Sequence, residues 1–354
     1  MLSAQPVMAQ CPAGATAVDV CWFSLSAEAP VNEITVVKSH HTPWSGYHWP
    51  YSNGGISRGG KDSPAEKYDR AVGRDPKDAK SLTRYVKAHI ARRKPPKKWE
   101  AWEGLCNGWS DAAMFTKVVK PQATFRGVDF TGADVKALLA AYYEELQAER
   151  YHLCAKEQNG QCPSTCYRAA SGGCFPKDDV VHISQYLGGK ERALTPDAYH
   201  VAATRMMPRR RFVANLSPVQ GQIWNYPVMS ASFQYGPASQ ESGKRFIKIV
   251  STLEVADARA DGTDRSKKTT FGYRLQVNEK NQLVRGGDHK WLTAGYAPPP
   301  AFLWTSESNI PSAWEQEKMK EFPIDWNVLM ELVGAFGGDY VLRDLDAPTV
   351  MTHD

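Results

Sequence analysis

The pattern of this chain changes near Pro196, and that change does most to limit its fold. Upstream, apolar residues recur at helical spacing. Ser63-Pro64-Ala65-Glu66 has the form of a helix start, with Ser as N-cap, Pro at the first position and Glu three after the cap. That helix is expected to reach residues 69–72. Leu82, Tyr85, Val86 and His89 mark a second over 78–90, closed by Pro95-Pro96. A third, 131–153, opens on a Thr N-cap. Downstream, alternating β-branched and aromatic residues predict strands at 199–205, 211–216, 223–235, 246–254, 269–277 and 290–291. The first two read as a hairpin across Met207-Pro208. A last helix is expected over 327–335. Helices followed by an antiparallel sheet argue for an α+β fold. Residues 42–60, rich in Gly, Ser and aromatics, read as an irregular packed loop, 179–187 as a short helix or turn, and 256–268 as a polar exposed connection.

At 354 residues, with 42% hydrophobic and 23% charged residues, the chain can bury a sizeable core. A net charge of +5, from 43 basic and 38 acidic residues, argues against nucleic-acid binding. The basic runs at 92–98 and 209–211 read as solvated turns. No stretch approaches the roughly 18 apolar residues of a membrane helix. The first ten residues lack a basic start and a long apolar run, but Val7-Met8-Ala9 before Gln10 has the form of the end of a cleaved signal.

Seven cysteines are present, an odd number: Cys11, Cys21, Cys106, Cys154, Cys162, Cys166 and Cys174. In an oxidising compartment the natural partition is a Cys11–Cys21 bridge, two bridges within 154–174, and one free thiol. The pairing inside the cluster stays open. Its rival reading is a four-thiolate zinc knuckle, but only Cys162 and Cys166 have the usual close spacing, so disulfides are favoured. Cys106 is left over either way, as a reactive thiol or an inert buried one.

Gly104 and Gly108 bracket Cys106, and Trp109, Ala112 and Ala113 then follow at i, i+3, i+4. Cys106 is therefore expected at or just before a helix N-terminus. There the dipole and free N–H groups favour a thiolate and face a developing oxyanion. Among nine histidines, His200 stands out, because it follows a Pro-Asp turn at the start of a predicted strand. In the expected hairpin, residue 202 opposes about 215, which brings Asn215 diagonally to the same face. An Asn there could orient the imidazole, although a lone strand histidine is more often structural.

These residues carry a resemblance. The blocks are Trp49-Pro50 with Ile56 and Arg58, Ser63 to Tyr68, Trp102 to Trp109 around Cys106, Tyr199-His200-Val201, Phe212 to Asn215, Trp224-Asn225-Tyr226-Pro227-Val228, Gly286-Gly287 with Trp291, and Phe302-Leu303-Trp304. In this order they resemble the transglutaminase elicitor family, over about residues 44–304. The resemblance implies a papain-like α+β core in which Cys106 attacks a protein glutamine. Ammonia leaves, and a lysine amine or water resolves the thioester. It makes His200 the general base and acid, and Asn215 or Asn225 the orienting group. Asn215 stands where the family pattern favours Asp. Trp102, Trp109 or backbone N–H groups are the candidate oxyanion donors, and Trp49 and Trp224 are assigned to substrate binding.

The expected organisation is an N-terminal arm over 1–40 with a local disulfide, one catalytic domain over 41–305, and a helical tail over 306–354 packed on it. The expected activity is a transglutaminase acting on proteins with accessible Gln and Lys, secreted or periplasmic, with no stable membrane association. The same site could instead serve a cysteine peptidase, amidase or deamidase acting on proteins or peptidoglycan peptides. A binding protein that keeps only the fold is disfavoured by the intact Cys106 and His200. No cofactor or metal is expected. Calcium stays open because many transglutaminases need it, although no loop here has regular calcium-ligand spacing.

Overall fold

The computed structural model describes residues 34–39, 41–92, 98–155, 166–168, 174–176, 194–207, 211–216, 222, 224–258, 263–284, 286–301, 303–306 and 313–339. The helical half comes first. Helix α1 (Pro64–Ala71) starts as its sequence predicts: the Ser63 side chain accepts from the Glu66 N–H at 3.2 Å, and Pro64 opens the first turn. Helix α2 (Leu82–Ala91) begins later than its periodicity suggests, because Ser81 caps it. The buried Asp69 carboxylate also accepts from the Leu82 and Thr83 N–H groups, at 2.8 and 2.9 Å. Helices α3 (Cys106–Phe115) and α4 (Gly132–Ala155) form the centre of this half.

Strand β1 is Ile34–Lys38. A hairpin of β2 (Gln122–Phe125) and β3 (Val128–Thr131) lies between α3 and α4. The sequence reading missed it. Its two-residue turn, Arg126-Gly127, has positive φ at both positions, 48° and 76°, as tight hairpins require. Two short strands, β4 (Cys166–Arg168) and β5 (Cys174–Pro176), pair with each other.

The second half is sheet. Strands β6 (Arg211–Asn215), β7 (Asn225–Glu241), β8 (Lys244–Ala256), β9 (Ser266–Val277), β10 (Lys290–Leu292) and β11 (Leu303–Ser306) fall close to the predicted segments where segments were predicted. They form an antiparallel sheet in the order β10-β9-β8-β7-β6-β11, and β1 also pairs with β7. Residues 34–38, expected in an N-terminal arm, are thus a strand of the main sheet. The fold is α+β, with a helix-rich N-terminal region and a C-terminal antiparallel sheet.

One local expectation is corrected. Residues 196–201 form helix α5 (Pro196–Val201), running into a π-helical turn, so His200 does not sit on a strand. Thr195 followed by Pro196 and Asp197 is a helix start: an N-cap residue, Pro at N1 and an acid in the first turn. The hairpin between 199–205 and 211–216 is absent, and Asn215 pairs with Asn225 on β7 instead of lying beside residue 202.

The core joins the halves. Trp109, Phe115, Tyr142, Tyr143, Phe212, Phe233, Phe271 and Tyr273 are fully buried. Beyond the sheet lie helices α6 (Ala313–Lys318) and α7 (Trp326–Ala335). The Trp326 ring packs on Tyr142 and Tyr143 of α4, which anchors the C-terminal helix to the helical half. No helix among the described residues is long and apolar enough to cross a membrane. No disulfide is found among the described residues. The side chains of Cys11, Cys21, Cys154, Cys162, Cys166 and Cys174 lie outside the described residues. Residues 1–33 and the segment 179–187 lie outside them as well.

Candidate active site

Cys106 is the first residue of α3, as the glycine bracket predicts, and it is a buried thiol in no disulfide. Both glycines have steric reasons. A Cβ on Gly104 would stand 2.1 Å from the His48 carbonyl oxygen, and one on Gly108 would stand 2.0 Å from the Ala140 carbonyl oxygen of α4. So the chain before Cys106 lies against residues 48–50, and the first turn of α3 lies against α4. The His48 carbonyl accepts the Leu105 N–H at 2.5 Å, which ties the approach to the helix.

Leu105 supplies no side-chain cap to α3. Glu144 takes that role from α4: its Oε2 accepts the Gly108 N–H at 2.8 Å. A carboxylate thus faces the amide end of the helix that begins with the thiol. Two opposing influences meet at Cys106. Burial, then the nearby Glu144 charge, push its pKa up to about 12. Main-chain N–H groups of Asn225, Cys106 and Asn107 pull the other way. Glu144 itself is pushed up to about 7, chiefly by burial, with Asp111 and Glu145 adding to the rise against the Gly108 bond.

The sheet brings its asparagines here. Asn215 and Asn225 are register partners across β6 and β7, and both are buried. The Asn215 Nδ2 donates to the Asn225 Oδ1 at 3.5 Å, and the Asn225 Nδ2 donates to the Asn107 Oδ1. That same Asn107 oxygen lies 3.9 Å from the Cys106 sulfur. Three carboxamides therefore run in line from the sheet to the thiol. Asn107 and Glu144 were not singled out from sequence. Asn107 directly follows the cysteine and could have been, but Glu144 lies 38 positions away with no local signal.

His200 lies elsewhere on the sheet. It is buried, its Nδ1 is 2.7 Å from the Tyr273 hydroxyl, and its ring packs edge-on against Phe233, Tyr235 and Tyr273. Phe233 is eight residues beyond Asn225 on β7, about 26 Å of extended strand at roughly 3.3 Å per residue. A ring packed on Phe233 and a thiol packed at Asn225 are too far apart for direct proton transfer. The structure thus brings Cys106, Asn215 and Asn225 together and leaves His200 in an aromatic cage.

The remaining candidates flank the thiol. Trp224 is half-buried, and its ring meets His48 edge-on at 5.0 Å. Trp49 is half-buried with a left-handed φ of 39°, and its carbonyl oxygen would lie 2.8 Å from a Cβ on Gly104. Both therefore border the segment leading to Cys106. The indoles expected as oxyanion donors are engaged otherwise: Trp102 Nε1 donates to Glu100 Oε2 at 2.6 Å, and the buried Trp109 Nε1 points to the Trp44 carbonyl at 3.5 Å. The main-chain N–H groups of Asn225, Cys106 and Asn107 are the donors set about the sulfur. Among the described residues, no group of three or more His, Cys, Asp or Glu is arranged to hold a metal ion.

The fold is thus an α+β protein with a helix-borne thiol set against an antiparallel sheet, and comparison narrows this. Residues 97–246, which hold Cys106, His200, Asn215 and Asn225, match the family described as "Transglutaminase elicitor". The crystal structure of the GP42 transglutaminase from Phytophthora sojae superposes with a TM-score of 0.53 at 19% identity, covering 78% of this chain and 87% of that one. No curated protein matches the chain. The chain thus carries a transglutaminase-elicitor-like segment over residues 97–246 and shares its fold with that structure.

Proposed function

We propose that this protein is a protein-glutamine γ-glutamyltransferase whose nucleophile is Cys106. The observation that carries the reading is the position of a buried thiol at the first residue of α3, with the main-chain N–H groups of Asn107 and Asn225 beside its sulfur. The family match over residues 97–246, which include Cys106, supports the class of reaction.

In the proposed cycle the Cys106 sulfur, as thiolate, adds to the γ-carboxamide carbon of a substrate glutamine. The carbonyl oxygen becomes an oxyanion, which the adjacent main-chain N–H groups are suited to accept. The C–N bond then breaks, the nitrogen takes up a proton and ammonia departs, leaving a thioester. A neutral lysine amine attacks that thioester, loses a proton and expels the Cys106 thiolate. Water in place of the amine yields glutamate. Asn107, Asn225 and Asn215 fix the side of the sulfur that meets the sheet. Trp49 and Trp224 flank the approach and are assigned to substrate contact. His200, expected from sequence as the base, takes a structural role in this reading because it is held by Tyr273. Secretion and the protein nature of both substrates belong to the same proposal.

The test is incubation of wild type and Cys106→Ala with a glutamine peptide and a fluorescent primary amine, with ammonia recorded in parallel. The reading expects amine incorporation by wild type alone. Ammonia without incorporation would assign the site to a deamidase or hydrolase. Equal signals from both proteins would remove Cys106 from the chemistry.

A further inference from the structure

We infer that Glu144 is a positioning residue for Cys106: its carboxyl, bonded to the third residue of α3, governs how readily the thiol at the first residue ionises. The inference rests on the reading of Cys106 as the nucleophile. It goes beyond that reading by naming a control residue on another helix.

The geometry is specific. An uncapped helix start leaves its first N–H groups in need of acceptors, and Leu105 offers none. Glu144 reaches across from α4 to the Gly108 N–H at 2.8 Å, an approach that only glycine at 108 permits. The carboxyl thereby does two opposing things. As an acceptor it holds the first turn of α3 in place. As an anion it places negative charge beside the sulfur and opposes a thiolate there. Only its neutral form does the first without the second, because a protonated carboxyl keeps one oxygen free to accept.

The groups around it sharpen this. Cys106 and Asp111 face Glu144 from α3, Tyr51 from the 3-10 turn Tyr51–Asn53, and Glu145 from its own helix. None of these carries a positive charge that would favour the carboxylate. The Glu144 carboxyl is raised to about 7 and the Cys106 thiol to about 12, as expected of two acids sharing one desolvated place. Below neutral pH the site holds a neutral carboxyl. Above it, each further step toward thiolate works against an existing charge.

The experiment is iodoacetamide alkylation of Cys106 as a function of pH, read by mass spectrometry of the Cys106 peptide. It needs no glutamine substrate. Glu144→Gln keeps an acceptor for the Gly108 N–H and removes the charge. A one-unit fall in thiol pKa gives tenfold more thiolate, partly offset by lower nucleophilicity, so E144Q should react about three- to fourfold faster than wild type at pH 8.5. Glu145→Gln removes the same charge one residue along while keeping the Glu144 bond to Gly108, and should change the rate less. Wild type alone gives a second reading. Its rate should climb less steeply between about pH 6 and 8 than the about tenfold per unit of a lone ionising thiol. Superimposed E144Q and wild-type profiles, an equal effect of E145Q, or a full tenfold-per-unit slope in wild type would overturn the inference while leaving Cys106 a nucleophile. Failure of Cys106 to alkylate in every variant would instead overturn the nucleophile reading and this inference with it.

Discussion

Gly108 of α3 lies so close to Ala140 of α4 that a single methyl on the glycine would come within 2.0 Å of the Ala140 carbonyl oxygen. The obstruction is backbone, so no rotamer change relieves it. Gly108→Ala must therefore push α3 off α4, and with it the Glu144 bond to the Gly108 N–H. The expected cost is about 1–3 kcal/mol of stability, as for overpacking elsewhere. Urea unfolding measures it, and Cys106 alkylation should change in the same variant.

Gly334 gives the opposite outcome. It lies exposed in the last turn of α7, and nothing stands within 4 Å of an added Cβ. Gly334→Ala should raise stability by about 0.5–1 kcal/mol, because alanine loses less backbone entropy in a helix. The shift would appear as a higher urea midpoint with an unchanged slope.

Stability should fall as pH rises through neutrality, and Glu144 is the reason. Its folded pKa, about 7, is above the ordinary 4.5. The native state therefore binds this proton more tightly than the unfolded chain. That contribution is complete below about 4.5 and is lost as pH rises through 7. Relative to Glu144→Gln, wild type should lose on the order of 2–3 kcal/mol between pH 4.5 and 8, at roughly 1.4 kcal/mol per unit. Urea unfolding of both proteins at the two pH values measures this. Equal pH dependence in the two would contradict it.

His200→Ala distinguishes a core histidine from a catalytic one. Removing the ring leaves a cavity among Phe233, Tyr235 and Tyr273 and takes the partner from the Tyr273 hydroxyl. The expected loss is about 2–4 kcal/mol of stability. Amine incorporation should stay within about threefold of wild type at a temperature where the variant is folded. A stable but inactive variant would restore His200 as the base.

Much of the architecture was legible because the signals were local. The Ser63-Pro64-Ala65-Glu66 cap, the alternation in β7, β8 and β9, and the glycines around Cys106 each describe their own neighbourhood, and the fold keeps them. His200 was misplaced for a local reason that could have been read. Tyr, Val and Ala around it suit a strand or a helix, and Thr195-Pro196-Asp197 decides for the helix. The hairpin partner assumed for Asn215 failed with it. Asn215 nonetheless reaches the thiol's surroundings, through the β6–β7 register and Asn225. Glu144 was illegible for another reason. Its function comes from the crossing of two helices, and nothing in α4's own sequence marks the position that meets the start of α3.

The central claim is that Cys106 carries the acyl group. Wild type should be mixed with a glutamine peptide in the absence of any amine, quenched in acid within seconds, and digested for mass spectrometry. The account predicts the Cys106 peptide heavier by the mass of the glutamine peptide less one ammonia, and discharge of that adduct when an amine is added before the quench. An unmodified Cys106 while ammonia is still released, or release undiminished in Cys106→Ala, would contradict it.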